Sequence, residues 1–357
     1  MVIIHVARIQ LNYTSGMGRI ASCWKEVFVN AGHHFLHIGS NEVNNNAHAN
    51  TWGFAARKYL NKLSIKPDIV LVHEPLGGFF ISRQFKTIIY SHGIEERAWQ
   101  VRSKYSFNLF SFKNKLFPTW LRFYSNNKGF KKASVILLSN TEDKNYLVKH
   151  KKINAEKITI FHNGYYSYLI DKKINDTITF LFNATWIERK GIDLMYKAFN
   201  ELLVKNPSVK LIIAGTGAEK NIVLKEFNQL IHHQIKVIPS FGVDDEKQFY
   251  AEANVFVMPS YFEGQSVALT QAMAMGLCPI AANNCGQKDF IIHNQNGLLF
   301  NTGDANDFLK QLQYLINRKN EVVRMGLNAK TSVEKFTWQN VSNEIVETCI
   351  SQNLNND

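Results

Sequence analysis

The chain is written as two series of short, almost wholly apolar runs separated by longer amphipathic stretches. The first series is VIIHVA from Val2, IVLVH from Ile69, TIIYS from Thr87, VILLS from Val135 and ITIF from Ile158. The second is ITFLFN from Ile178, KLIIAG from Lys210, IKVI from Ile235, VFVM from Val255, CPIA from Cys278 and GLLF from Gly297. Branched apolar runs without polar alternation fit strands buried on both faces, as in a parallel sheet. Between them, Ile20, Trp24, Val27, Phe28 and Ala31 share one face of a helix expected over 19–31, with Gly32 to end it. A second helix is expected over Ile192 to Lys205, stopping before Asn206-Pro207. A third is expected near Glu246 to Ala253, with Asp244 as its N-cap. Strands alternating with helices argue an α/β chain.

A chain of 357 residues is long for one core and comfortable for two. The alternation restarts after about Gly164, and the polar stretch Asp171 to Thr177 reads as a linker. The expectation is two doubly wound, Rossmann-like domains, 1–168 and 169–337, with a final helical segment, about 338–357, packing back on the first. Open α/β sheets bind ligands at the carboxyl ends of their strands. Two such domains are expected to face each other across a cleft.

Composition narrows the chemistry. Hydrophobic residues make up 45% and charged residues 20%, an ordinary balance for a soluble protein. No apolar run is long enough to span a bilayer. The N-terminal run reads as a first buried strand, not a signal peptide, so a cytoplasmic location is expected. Cys23, Cys278, Cys285 and Cys349 form no CxxC pair and read as reduced packing residues. His33-His34 and His232-His233 lack the HExxH spacing and read as surface or loop-edge histidines. The net charge of +12 calls for an anionic partner. Nucleic acid, an anionic membrane and phosphorylated small molecules all qualify, but nucleic-acid-binding signatures are missing. No nucleic-acid partner is expected.

The most informative segment is Pro259 to Gly276, PSYFEGQSVALTQAMAMG. A strand ends at Pro259, a short loop carries Glu263-Gly264-Gln265, and a helix starts with Ser266 as N-cap. A helix N-terminus just beyond a strand's carboxyl end attracts anions through free N–H groups and the helix dipole. Gln271 follows Glu263 by eight residues, so the two side chains can reach different parts of one ligand. By itself the segment also reads as a plain strand-to-helix turn.

This segment resembles glycosyltransferase family 4, the retaining, nucleotide-sugar-dependent enzymes of the GT-B fold. Their hallmark is two glutamates separated by seven residues, the second in an E-A-M-A-x-G context. Here the match is Glu263-Gly264 followed by Gln271-Ala272-Met273-Ala274-Met275-Gly276, with Gln271 in place of the second glutamate. Asn283 to Phe300 and Phe182 to Met195 resemble further family segments. The resemblance implies that Glu263 contacts donor-sugar hydroxyls, that Gln271 stands at the ribose position, and that Lys190 meets the diphosphate. Thr185 stands at the usual arginine position, and Arg189 is the candidate substitute. The turn Gly215-Thr216-Gly217 is similar to the one that lets a nucleotide approach backbone. Phe241-Gly242 lies where family members position the base. In the first half, Gly16-Met17-Gly18 with Ala21 matches GxGxxA. It stands some eight residues beyond the strand, which argues for a glycine loop at the donor or acceptor, not a dinucleotide fingerprint. His92, after TIIYS, is placed by the resemblance near the reacting sugar.

From Arg97 to Thr141 there is no acidic residue, and basic and aromatic residues interleave through Lys132. Such a stretch suits the surface of anionic lipid and a lipid-linked acceptor, or a solvated face above an aromatic core.

The expected protein is thus a retaining glycosyltransferase of hexosyl type with a UDP-sugar as the favoured donor. A glycan or lipid-linked acceptor in polysaccharide, lipopolysaccharide or glycoconjugate assembly is expected, at the inner face of the membrane. No cofactor is expected, and the lack of an Asp-x-Asp motif argues against a metal. Gln271 and Thr185 motivate the other reading, a non-catalytic nucleotide-sugar-binding homologue.

Overall fold

In the computed structural model, the apolar runs form two six-stranded, all-parallel sheets. The structure describes residues 1–13, 15–43, 49–105, 116–168, 177–242 and 245–354. The first sheet holds β1 (Val2–Val6), β2 (His34–Ile38), β3 (Ile69–His73), β4 (Lys86–Ser91), β5 (Val135–Leu138) and β6 (Ile158–Ile160), in spatial order β2-β1-β3-β4-β5-β6. The second holds β7 (Thr179–Asn183), β8 (Lys210–Ala214), β9 (Ile235–Ile238), β10 (Val255–Met258), β11 (Cys278–Ala282) and β12 (Leu298–Phe300), ordered β12-β11-β10-β7-β8-β9. In each sheet the order reverses beside the first strand, the arrangement that opens a ligand crevice at the carboxyl edge.

The chain divides into two compact units, one of residues 1–163 with the helix Trp338–Leu354, the other of residues 164–337. In the first, Ile4, Val6, Val70, Val72, Ile89 and Ile136 carry the sheet's side of the core, beneath Trp52, Phe80 and Phe130. The helix Trp338–Leu354 packs on the helix Gly16–Asn30. In the second, Phe180, Phe182, Leu211, Ile213, Val255 and Val257 meet Phe199, Leu202 and Phe308 on one face. Leu181, Ile212 and Phe256 meet Phe249, Leu269 and Met273 on the other.

Several expectations shift. The strand β2 is absent from the apolar runs, because His34 and His37 interrupt its pattern. The first helix begins at Gly16, not Arg19, because the Ser15 side chain caps it by accepting from Gly18 N–H. The expected glycine loop is therefore that helix's first turn. The helix Glu246–Glu252 follows Asp245, whose side chain makes no capping bond, and Asp244 lies outside the described residues. All four cysteines are buried, and none is joined to another in a disulfide.

The basic, aromatic stretch is only partly described: residues 106–115 fall outside. Within the rest, Arg97 pairs with Glu142 and Asp143, and Arg122 with Glu95. Phe130 is core. Those three leave the expected lipid-facing set, because acidic partners from elsewhere in the chain and the core claim them. Lys128, Lys131, Lys132 and Tyr124 remain exposed. No helix among the described residues is long and apolar enough to cross a membrane.

Candidate functional site

The site of the second unit is built on three loops that leave the carboxyl ends of β7, β8 and β10. After β7 the chain turns through Glu188–Lys190 to Gly191, and the helix Ile192–Lys205 follows. Gly191 adopts φ +74°, and a Cβ there would overlap the Pro259 carbonyl oxygen, so only glycine lets this turn lie against the loop after β10.

The two loops are laced together. Tyr261 N–H donates to the Arg189 carbonyl at 3.0 Å, and Tyr261 O–H donates to Asp193 at 2.7 Å. Arg189 donates to the Phe262 carbonyl at 2.9 Å. Its contact with the Glu263 carboxylate is longer, at 3.4 Å. Lys190 Nζ meets the same Glu263 oxygen at 2.5 Å, with both side chains mostly withdrawn from solvent. A lysine and a carboxylate in such contact form a charge-assisted pair that a ligand must reorganise before using either group. Three of the residues singled out from sequence, Arg189, Lys190 and Glu263, thus stand together.

A second close approach supports Glu263 from below. Gly286 N–H donates to the Glu263 carbonyl at 3.2 Å. A Cβ on Gly286 would overlap the Gly264 carbonyl oxygen. Gln265 is buried and donates to Thr270 at 3.1 Å. Ser266 caps the helix Val267–Ala274, accepting from Leu269 N–H at 3.3 Å.

Gln271, on the helix Val267–Ala274, is fully buried. Its Nε2 donates to the Tyr166 carbonyl at 2.7 Å and its Oε1 accepts from Tyr166 N–H at 2.9 Å. In this conformation the amide serves the chain's own backbone.

The turn after β8 takes positive φ at both Gly215 (+66°) and Gly217 (+62°). It is pinned by Gly217 N–H to the Pro239 carbonyl and by Trp186 N–H to the Thr216 carbonyl, both 2.9 Å. The Phe241 ring lies over Gly215, where a Cβ would come within 3.1 Å of it, and meets Phe249 edge-on at 4.8 Å. Gly242 N–H is held by Asp245 at 3.1 Å. Thr185 is exposed at the end of β7.

Gly16, Gly18 and His92 belong to the first unit. Gly18 fits closely under Ser15 and Asn12, where a Cβ would meet their side-chain oxygens at 2.6 and 2.7 Å. His92 follows β4, half-buried, with Nε2 at 3.1 Å from His73 Nδ1. Near it, the half-buried Glu74 accepts from Ser91 O–H, Glu95 N–H and Asn126. Burial raises its pKa from the ordinary 4.5 to about 8, against the opposing pull of those donors. Sequence spacing carried no sign of Tyr166, and Tyr261 and Asp193 lay inside matched segments without a role. Gly286 lies inside a segment that had been matched, without a role.

The chain is similar in sequence and in fold to known proteins. Residues 170–332, within the second unit, fit the family model described as Glycosyl transferases group 1. An uncharacterized glycosyltransferase of Haemophilus influenzae is 29% identical over 158 residues, 43% of this chain and 44% of that protein. The capsular polysaccharide biosynthesis glycosyltransferase CapM of Staphylococcus aureus is 26% identical over 175 residues, 49% of this chain and 46% of that protein. The chain thus spans less than half the length of these two curated relatives. Among solved structures, sucrose-phosphate synthase from Thermosynechococcus elongatus superposes with a TM-score of 0.78 at 16% identity, covering 98% of both chains. Anabaena HepE in complex with UDP and glucose does so with a TM-score of 0.70 at 16% identity, covering 98% of this chain and 100% of that one. The fold is the two-domain α/β GT-B fold.

Proposed function

We propose that the chain is a retaining hexosyltransferase that moves a sugar from a nucleotide-diphosphate donor, a UDP-sugar foremost, to a glycan or lipid-linked acceptor. The observation that carries this reading is the triad of Arg189, Lys190 and Glu263, assembled from two loops beside the capped helix Val267–Ala274. A departing nucleoside diphosphate needs positive charge where its negative charge develops, and Lys190 and Arg189 supply it. Once Lys190 turns to the phosphates, the Glu263 carboxylate is released to accept from sugar hydroxyls. The positive-φ turn Gly215–Gly217 and Phe241 provide close backbone approach and a flat apolar ring for the nucleotide. His92 meets a hydroxyl of the reacting sugars. Transfer on the front face, with the leaving phosphate drawing off the acceptor proton, follows the course that the resemblance to retaining enzymes implies. The relative named for capsular polysaccharide biosynthesis, CapM of Staphylococcus aureus, supports an acceptor of that class. The exposed Lys128, Lys131 and Lys132 support contact with an anionic membrane surface from the cytoplasmic side.

The buried pairing of Gln271 with Tyr166 favours a second reading, a homologue that binds nucleotide sugars without transferring them. A thermal-shift screen against UDP, GDP, ADP and their common sugar conjugates, without metal, tests binding, since a ligand selective for the folded state raises Tm. Binding followed by sugar release or transfer supports the enzyme, and binding with neither supports the second reading. No response to any of them sinks both.

A further inference from the structure

Four histidines of the first unit stand in one row across four neighbouring strands. His37 lies in β2, His5 in β1 and His73 in β3, while His92 follows β4, matching the sheet order β2-β1-β3-β4. Parallel register sets His5 opposite His37, and His73 opposite Tyr90. The rings connect nitrogen to nitrogen. His37 Nδ1 is 2.9 Å from His5 Nδ1, His5 Nε2 is 2.9 Å from His73 Nε2, and His73 Nδ1 is 3.1 Å from His92 Nε2. At the far end His37 Nε2 lies 3.1 Å from the Ile9 carbonyl oxygen. Trp24 turns its edge to His5 and His73, Phe35 stacks on His5, and Tyr90 packs against His73 and His92. The contacts run pairwise along a line, and among the described residues no three such groups converge on a point that could hold a metal ion.

The direction of every bond in this row follows from its end. A carbonyl only accepts, so His37 carries its proton on Nε2. A neutral imidazole has one donor and one acceptor nitrogen. His37 Nδ1 therefore accepts from His5 Nδ1–H, His5 Nε2 accepts from His73 Nε2–H, and His73 Nδ1 accepts from His92 Nε2–H. Burial, then the neighbouring histidines, hold His5 and His73 well below the usual imidazole range, which keeps these two central rings neutral. His37 is also lowered by burial, with the Ile9 carbonyl and Glu42 opposing and Lys25 adding to the effect.

We propose that His37, His5 and His73 are positioning residues that lock His92 in its Nε2–H tautomer, so that Nδ1 is the acceptor nitrogen it offers to a ligand hydroxyl. A lone pair at that nitrogen accepts from a hydroxyl and repels a phosphate oxygen, whereas the other tautomer would do the reverse. The proposal rests on the transferase reading only for what meets His92; the tautomer itself stands apart from that reading.

Two-bond nitrogen–proton correlation spectra of the full chain with ¹⁵N-labelled histidine, at pH 7.5, test it directly. The expected pattern is Nε2–H on His37, His73 and His92, Nδ1–H on His5, and no imidazolium among the four. In His5→Phe the link to the Ile9 carbonyl is cut, and the His92 Nδ1 resonance moves from its pyridine-like position toward a mixture of both tautomers. His37→Phe, at the half-buried end, cuts the same link with less risk to folding and gives the same movement. A wild-type His92 protonated on Nδ1, or one unmoved in a folded variant of either kind, overturns the proposal. A thermal shift with a nucleotide sugar reports separately on the transferase reading, so each can fail without the other.

Discussion

Gln271 and the backbone of Tyr166 pair as two peptide groups do, each donating once and accepting once, at 2.7 and 2.9 Å. A glutamate could not do this. It would keep the acceptor for Tyr166 N–H but set its second oxygen against the Tyr166 carbonyl, with no solvent to soften the repulsion. The amide at position 271 thus has a local reason in this chain.

Gln271→Glu is expected to lose about 1–3 kcal/mol of stability at neutral pH, the scale of an unsatisfied buried polar group. Burial raises the new carboxyl's pKa, so the folded state holds the proton longer than the unfolded one and stability falls as pH rises. Urea unfolding should show a larger deficit at pH 8 than at pH 5, and equal deficits would count against the pairing as its cause.

Lys190→Met is expected to abolish the Tm rise given by UDP or a UDP-sugar and to destabilise the free protein by about 1–3 kcal/mol, because it leaves the withdrawn Glu263 carboxylate with only the longer Arg189 contact. Any transfer activity should fall about 10²–10³-fold, the scale of losing one preorganised donor to developing charge. A variant that still responds fully to UDP would move the diphosphate away from Lys190.

Glu74 makes the first unit sensitive to alkali. Its carboxyl is raised from 4.5 to about 8, chiefly by burial, so between those values the folded state binds more protons than the unfolded one. The sign is therefore a loss of stability with rising pH across that window, by up to about 1.4 kcal/mol per pH unit. Glu74→Gln keeps an acceptor for Glu95 N–H and Asn126 and should flatten the profile between pH 5 and pH 8. An unchanged slope in urea midpoints would assign the effect to another raised carboxyl, Glu95 or Asp143.

Gly286→Ala tests the support beneath Glu263. Its backbone is ordinary for any residue, at φ −66°, so the only obstacle is the Gly264 carbonyl oxygen its Cβ would overlap. A cost of about 1–3 kcal/mol is expected, as for other overpacked sites. The nucleotide-induced Tm shift should weaken with it, because the displaced loop carries Glu263. An alanine variant with wild-type stability and response would show that the loop can give way freely.

Much of this was readable in the sequence where one stretch of chain contained both cause and effect. Eleven of the strands coincide with apolar runs, because burial on both faces leaves no polar alternation. The loop with Glu263 and the cap at Ser266 were legible from local order alone. What escaped depended on partners far away. β2 hides behind His34 and His37, and His37 finds its partners only when β1 lies beside it. Tyr166 lies 105 residues from Gln271, and no spacing rule links them. Tyr261 reveals itself only through Arg189 and Asp193, which another loop supplies.

The first unit is closed by a helix drawn from beyond the second, since Trp338–Leu354 packs on Gly16–Asn30. On the ribosome, the order of completion is therefore reversed relative to the order of synthesis. Residues 164–337 form an uninterrupted unit and can finish folding while the earlier-made half still lacks its final helix. Until that helix emerges, the apolar face of Gly16–Asn30 is left for chaperones to shield. A premature stop after residue 337 would damage the half of the protein made first.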